Sequence, residues 1–420
     1  MKKMIFSAAA FAVVAVSAAA VAPTTAEAIP AFARQTGAAC LSCHFQSFPT
    51  LAPMGRSFKE GAFTDMGEQA LVEDEMLSIT SAVNMTMVLR PQFASTTTTT
   101  AGVSSTVKSS IIADQVLMFG GRVGTNTGTF VEYDGAVPFA NFQLLSSMDM
   151  GDAKVGIDFF KAGFGITSGM EIGSTYGQHG GMLNGKGLTA FETLSANNGG
   201  EAGVTFFYAN DLVNASFGLI TDDRAFAGVS NGWKLAPMAR VFVHQEVGGF
   251  ELGFGGVIVS GRTGDTVTNA ALIGLGTNPT VAGNDLEMKK WDIDFQAQGE
   301  LGDMQVGVYA DYGKASANGA GKTNIFSKFG GESSGYSLRA SLKPLHTVII
   351  GGGFGIMKNS GAAGTAVEKV SQFQVAAEYE IYQNFIVALI YNSTKTTNAA
   401  NVAGTTTKVK TTTIDVEALL

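Results

Sequence analysis

From about Ile79 to the C-terminus the chain alternates apolar and polar residues over long stretches, and this pattern limits the possible folds more than any other feature. Val83, Met85, Met87, Leu89 and Phe93 share one parity, whereas Asn84, Thr86, Arg90 and Gln92 share the other. Trp291, Ile293, Phe295 and Ala297 alternate with Asp292, Asp294, Gln296 and Gln298. Phe373, Val375, Ala377, Tyr379 and Ile381 do the same with Gln372, Gln374, Glu378 and Glu380. Successive side chains on a strand point to opposite faces, so each stretch has one apolar and one polar face.

A soluble β-sandwich would alternate as well, so periodicity alone does not decide. Strand and connection lengths do better. Many stretches run ten residues or more, beyond the usual five or six. Tight turns at Asn210-Asp211, Gly248-Gly249, Gly302-Asp303, Pro344-Leu345 and Tyr382-Gln383 alternate with long polar connections at about 222–237, 262–286, 315–333, 359–368 and 397–407. Short turns at one end and long loops at the other form the pattern of an outer-membrane barrel. A closed barrel also satisfies every backbone group in lipid.

The expected fold is therefore all-β: a transmembrane antiparallel β-barrel of about 16 strands over residues 78–420. Eleven strands fall between Glu201 and Leu420. Five precede them, near 79–94, 109–124, 128–137, 141–150 and 153–172, and 173–200 could hold another pair. An even count puts both barrel ends on the periplasmic side. The Thr96–Thr100 run then falls in the first outward loop. Leu420, in place of the aromatic residue that often ends such barrels, keeps the parity of the lipid face.

Composition agrees. Charged residues are 15% of the chain, against about 25% in typical soluble domains. The 53 glycines among 420 residues are nearly twice the usual share of about 7%. Past the N-terminus no apolar run approaches the ~18–20 residues of a membrane helix. A net charge of -8 argues against nucleic acid as a partner. Two cysteines in so long a chain exclude a disulfide scaffold. Gly351-Gly352-Gly353 lacks the strand–helix context of a phosphate loop and reads as strand.

Residues 1–28 read as a signal peptide: a positive start at Met1–Lys3, an apolar stretch to Ala22 and an Ala26-Glu27-Ala28 cleavage site. Residues 29–77 hold both cysteines, three of the nine prolines and no strong strand pattern. Within them, Cys40-Leu41-Ser42-Cys43-His44 has the C-x-x-C-H spacing of covalent c-type haem attachment. Two thiols would take the two vinyl groups, and His44 would ligate the iron. A thioredoxin-like dithiol would need a surrounding βαβ domain. A zinc site would need further ligands. A structural disulfide would leave His44 unexplained. The expected cofactor is one covalently attached c-type haem on Cys40, Cys43 and His44.

Residues Ile29–Gly37, the haem motif, and Phe48-Pro49-x-Leu51-x-x-x-Gly55-Arg56-x-Phe58-Lys59 together resemble the N-terminus of the fused outer-membrane monohaem cytochrome–porins, the c-type iron oxidases of Fe(II)-oxidising bacteria. The motif match covers about 30 residues, and the one-haem-then-barrel layout covers the rest. The resemblance implies an oxidoreductase that takes electrons from extracellular Fe(II) and passes them through one haem to a periplasmic c-type cytochrome. A haem conduit for another donor, or a diffusion porin whose N-terminal segment only plugs or gates, are the alternatives.

Residues 29–77 are short for a self-sufficient cytochrome fold. They are expected to plug the periplasmic part of the lumen and to borrow the barrel wall as a haem pocket. Met54, Met66 and Met76 are near enough in sequence to be the second axial ligand, with Met54 the leading candidate. By strand parity His244 faces the lumen beside the Gly248-Gly249 turn and is the outside candidate. His179 falls in an outward loop and His346 on the lipid or interface side. The lumen parity also carries Glu132, Asp134, Asp292, Asp294, Asp311, Glu378, Glu380, Asp415 and Glu417, with Arg90, Arg122, Arg240, Arg339 and Lys343 as basic neighbours. That is read as a polar lumen with internal ion pairs, ahead of a cation-attracting funnel.

Overall fold

The computed structural model describes residues 31–47, 50–67, 69–75, 77–133, 141–161, 201–222, 234–264, 285–361 and 364–420. The signal peptide, Met76, Asp134, His179 and the uncertain pair at 173–200 lie outside them.

Three short helices open the described chain: α1 (Ala31–Thr36), α2 (Cys40–Cys43) and α3 (Pro53–Glu60). A two-stranded ribbon follows, β1 (Leu71–Glu73) with β2 (Ser78–Thr80). The barrel begins with β3 (Met85–Thr100), β4 (Val103–Gly124), β5 (Thr127–Tyr133), β6 (Asn141–Met150) and β7 (Ala153–Lys161). It continues with β8 (Glu201–Ala209), β9 (Val213–Asp222), β10 (Ala236–Val247), β11 (Phe250–Gly264), β12 (Asp285–Leu301) and β13 (Met304–Ala315). After the three-residue β14 (Lys322–Asn324) come β15 (Ser333–Leu345), β16 (Val348–Asn359), β17 (Glu368–Tyr382), β18 (Phe385–Thr397) and β19 (Thr406–Leu419).

Setting β14 aside, sixteen antiparallel strands close into one barrel, with β19 pairing back onto β3. The β7–β8 pairing is direct, so no further strand sits between them in the wall. Closure leaves no edge, the condition for a sheet in lipid. Alternation sets the two surfaces. Phe93, Phe206, Phe217, Phe254, Trp291, Phe354, Phe373 and Ile414 are exposed on the outside. Arg90, Asp158, Arg240, Asp294, Gln296, Arg339, Gln374 and Asp415 are buried inside. Transferring each exposed Phe from water into lipid favours insertion by about 2 kcal/mol.

Four boundaries differ from the sequence expectation. The Thr96–Thr100 run is strand rather than loop: β3 and β4 continue to a tight turn at Ala101-Gly102, where both residues have positive φ (50° and 84°). Such a turn matches the strand twist. Threonine suits a pleated strand, and here hydroxyls pair across it, Thr97 with Thr106 and Thr99 with Ser104, both at 2.8 Å. Second, the expected turn at Pro344-Leu345 lies at 346–347, because the register shifts between Leu342 and Leu345. Proline has no N–H to give a ladder and is tolerated at such a bulge. Third, a similar shift between Glu380 and Tyr382 moves the next turn to 383–384. Fourth, the expected first strand is divided: Ser78–Thr80 belongs to the β1–β2 ribbon and the barrel starts at Met85.

Candidate functional site: a lumen obstructed at both ends

The N-terminal segment docks against the inner wall near the tight turns, and each anchor follows from its residue types. Phe32, Phe58 and Phe63 form an aromatic cluster with Phe130 of β5: Phe32 stacks on Phe63 at 5.0 Å, meets Phe58 edge-on at 5.2 Å and lies 5.9 Å from Phe130. Ala62, Leu145, Phe207 and Phe242 complete an apolar patch between segment and wall. Aromatic pairs at such distances add to the area they bury.

Polar clasps flank it. The backbone N–H of Ala31 donates to Thr86 Oγ1 at 2.6 Å. Fully buried Gln35 donates to the Phe63 and Asp65 carbonyls at 2.6 and 2.7 Å, while its Oε1 accepts from Asn84 at 3.0 Å. Gly121, at φ 131°, makes room for that contact: a Cβ there would lie 2.2 Å from Gln35 Oε1. Gln46 bridges two strands, donating to the Gln305 carbonyl at 2.9 Å and accepting from Ser341 Oγ at 2.6 Å. Lys343 donates to the Gln46 carbonyl at 2.7 Å and to Glu380 at 2.6 Å.

Helix α3 carries the charged anchor. Pro53 sits in its first turn, where a missing N–H costs nothing. Arg56 is buried and bonds Glu251 of β11 with one nitrogen and the Leu51 carbonyl, at 3.0 Å, with another. Glu251 also accepts from His244 Nδ1 at 3.2 Å. Glu60 accepts from Asn214 at 3.2 Å; burial pushes its carboxyl up, and nearby Arg56 and His244 offset this only in part. Between α3 and the neighbouring turns lies a cavity of about 460 Å³, lined among others by Met54, Glu60, Lys154, Asp211, His244 and Glu251.

The expected haem residues sit in this segment. Cys40 begins α2 and is buried, Cys43 ends it half-buried, and both are free thiols pushed up by burial. The His44 N–H donates to the Cys40 carbonyl at 2.9 Å, and His44 forms a β-bridge with Leu51.

This arrangement corrects the expectation of one covalent c-type haem. The backbone of α3 packs directly on the Cys43 main chain, since a Cβ at Gly55 would lie 2.1 Å from the Cys43 carbonyl oxygen. Met54 and His244, two of the four candidate ligands opposite His44, line the turn-side cavity, which none of Cys40, Cys43 and His44 lines. Among the described residues no three His, Cys, Asp or Glu side chains are grouped to hold a metal ion. The C-x-x-C-H residues act as a turn that shapes the segment.

Part of the charged expectation is met as ion pairs. Arg90 bonds Asp415 at 3.0 Å, Arg240 bonds Asp294 at 2.7 Å and Lys343 bonds Glu380 at 2.6 Å. Arg122 ties β4 to the ribbon and the segment through Ser78 Oγ at 2.7 Å and the Thr64 carbonyl at 3.3 Å. His346 is exposed at its turn.

A second obstruction, expected only as a loop, lies at the far end. Strand β14 runs parallel to the start of β12, Asp285 opposite Lys322 and Glu287 opposite Asn324. Asn324 Nδ2 donates to the Lys289 and Ser316 carbonyls at 2.9 and 2.7 Å. Ile325 and Phe326 are thereby buried with Phe160, Met238, Val257 and Met288. The sequence signal was the apolar Ile325-Phe326 pair inside a polar, Gly-rich connection.

These features define the class: a porin-type barrel with an occupied lumen. The structure is similar to the outer-membrane protein OmpT of Vibrio cholerae (TM-score 0.50, 12% identity, covering 84% of this chain and 100% of that one). It is also similar to an anion-selective porin from Comamonas acidovorans (TM-score 0.50, 12% identity, covering 81% of this chain and 99% of that one). At such identity the likeness shows the fold. No family model and no curated protein matches the sequence.

Proposed function

We propose that the protein is a diffusion channel of the bacterial outer membrane, narrowed at its periplasmic mouth by its own N-terminal segment. The apolar outer belt faces membrane lipid, and small polar solutes pass along the inner wall. The observation that carries this reading is the docking of residues 31–47 and 50–67 onto the inner face of a closed sixteen-stranded barrel by buried hydrogen bonds. Several wall charges are matched in pairs, and with the narrowed mouth this favours selection by size over selection by the sign of charge. Similarity to porin structures supports the fold on which the reading rests.

The test is planar-bilayer conductance of the refolded full chain. Small discrete steps are expected, and larger ones when Gln46→Ala and Arg56→Ala together weaken the docking. Absence of ion-conducting steps from both proteins would overturn the reading.

A further inference from the structure

The lysines of the outer surface are not scattered. Lys358 of β16 stands directly opposite Lys369 of β17, and Lys395 of β18 directly opposite Lys408 of β19. Lys410 lies one pleat from Lys408 on the same face, and Lys108 of β4 completes the group beyond β3. All six are exposed. Parity places them on the lipid-facing side: Lys358 and Lys369 continue the outward rows of Phe354 and Phe373, and Lys408 and Lys410 continue the row of Ile414.

Directly opposed like charges on a sheet are destabilising. Here two such pairs occur side by side in a chain of net charge -8. No carboxylate shares their face among the described residues of these strand ends. Glu368, nearest in sequence, is buried and bonded to Lys328 at 2.7 Å. Asp415 and Glu417 point into the lumen.

The height of the group is equally specific. Lys358 is four residues beyond Phe354, Lys410 four before Ile414 and Lys108 four before Ile112 on their strands, which is about 13 Å of rise. Acyl chains against Phe354, Phe373, Ile414 and Ile112 would bring headgroup phosphates to this level. Opposed lysines with Cβ atoms about 5 Å apart can bracket one phosphate. Ser95, Thr97, Ser104, Thr106, Thr397, Thr406 and Thr412 offer hydroxyls on the same face, suited to sugar.

We propose that the outer ends of β16–β19 and β4 bind a phosphorylated glycolipid of the outer leaflet, of the lipid A type, through Lys358, Lys369, Lys395, Lys408, Lys410 and Lys108. This rests on the long-loop end facing outward. Its readout is lipid binding, so it fails separately from the channel reading, which is tested by conductance.

The experiment uses the refolded full chain in neutral detergent and fluorescent bisphosphorylated lipid A, followed by anisotropy. Two variants are compared with it: Lys358→Gln, Lys369→Gln, Lys395→Gln and Lys408→Gln combined, and Lys154→Gln at the turn end as a control. Heat-modifiable migration on gels confirms that each barrel is folded. Each lysine near an anionic surface contributes several-fold to affinity, so the fourfold variant is expected to bind at least about tenfold more weakly. Wild type and control are expected to bind alike, and dephosphorylated lipid A to bind weakly to both. Equal binding by the fourfold variant, equal binding of the dephosphorylated lipid, or equally tight binding of phosphatidylglycerol would each overturn the proposal.

Discussion

Replacing Arg56 by Ala tests how the N-terminal segment is held. In the docked state Arg56 is buried, its guanidinium bonded to Glu251, to the Leu51 carbonyl and, at 3.4 Å, to Gln298. Truncation leaves Glu251 largely buried with only His244 beside it. Removing one partner of a buried ion pair costs about 3–5 kcal/mol, because the other charge stays desolvated. At 1.4 kcal/mol per factor of ten, undocking becomes about a hundred- to several thousand-fold more frequent. The barrel itself, closed by sixteen ladders that do not involve Arg56, should remain intact. Two assays read the change. The buried Cys40 thiol reports undocking through its rate of maleimide labelling, and bilayer conductance reports opening of the mouth. Both should rise in Arg56→Ala. In Arg56→Ala with Glu251→Gln the stranded charge is gone, so part of the docking should return. Labelling and conductance unchanged from wild type would refute the assignment of Arg56 as an anchor. Loss of the folded barrel would refute the claim that segment and wall are separable.

Other outcomes follow from the same geometry. Gly55→Ala places a Cβ against the Cys43 carbonyl and should weaken docking by about 1–3 kcal/mol, seen as faster labelling of Cys43. Burial holds the Glu60 carboxyl above its ordinary 4.5, so docking takes up a proton. Its contribution is complete below that ordinary value and is lost as pH rises through the raised one. Conductance should therefore increase with pH across that window, and Glu60→Gln should flatten the profile. Asn324→Ala removes the hydrogen bonds that hold the inward segment to Lys289 and Ser316, and should enlarge single-channel conductance while the N-terminal segment stays docked. Phe254→Arg puts a charge on the lipid face and should destabilise folding into vesicles by up to about 2–4 kcal/mol, measured in urea titrations.

The barrel was legible because its cause is local. Alternation places each side chain on one of two faces, and the pattern repeats in nearly every strand, so parity alone sorted Arg90, Arg240, His244, Asp294 and Glu378 to the inside. Connection lengths then gave the strand count. Errors arose where a local rule met a competing one. The threonine run looked like loop by polarity but is strand by backbone preference and cross-strand hydroxyl pairing. Pro344 looked like a turn residue but occupies a bulge.

The alternation and turn spacing of the sequence determined an antiparallel sheet that must close in lipid, and which residues face inward. Tertiary structure decided what occupies that interior. Gln35 and Arg56 belong to the motif stretches and Gln46 lies between them, yet nothing local assigns them as anchors; their roles exist because Asn84, Ser341, Lys343 and Glu251, far along the chain, meet them inside the wall. The C-x-x-C-H motif gave the sharpest local signal, and its packing corrected the reading. A motif specifies only which groups are close in the chain. What packs on the Cys43 main chain is set by where helix α3 lies, and where Met54 and His244 stand is set by how the segment folds against the wall.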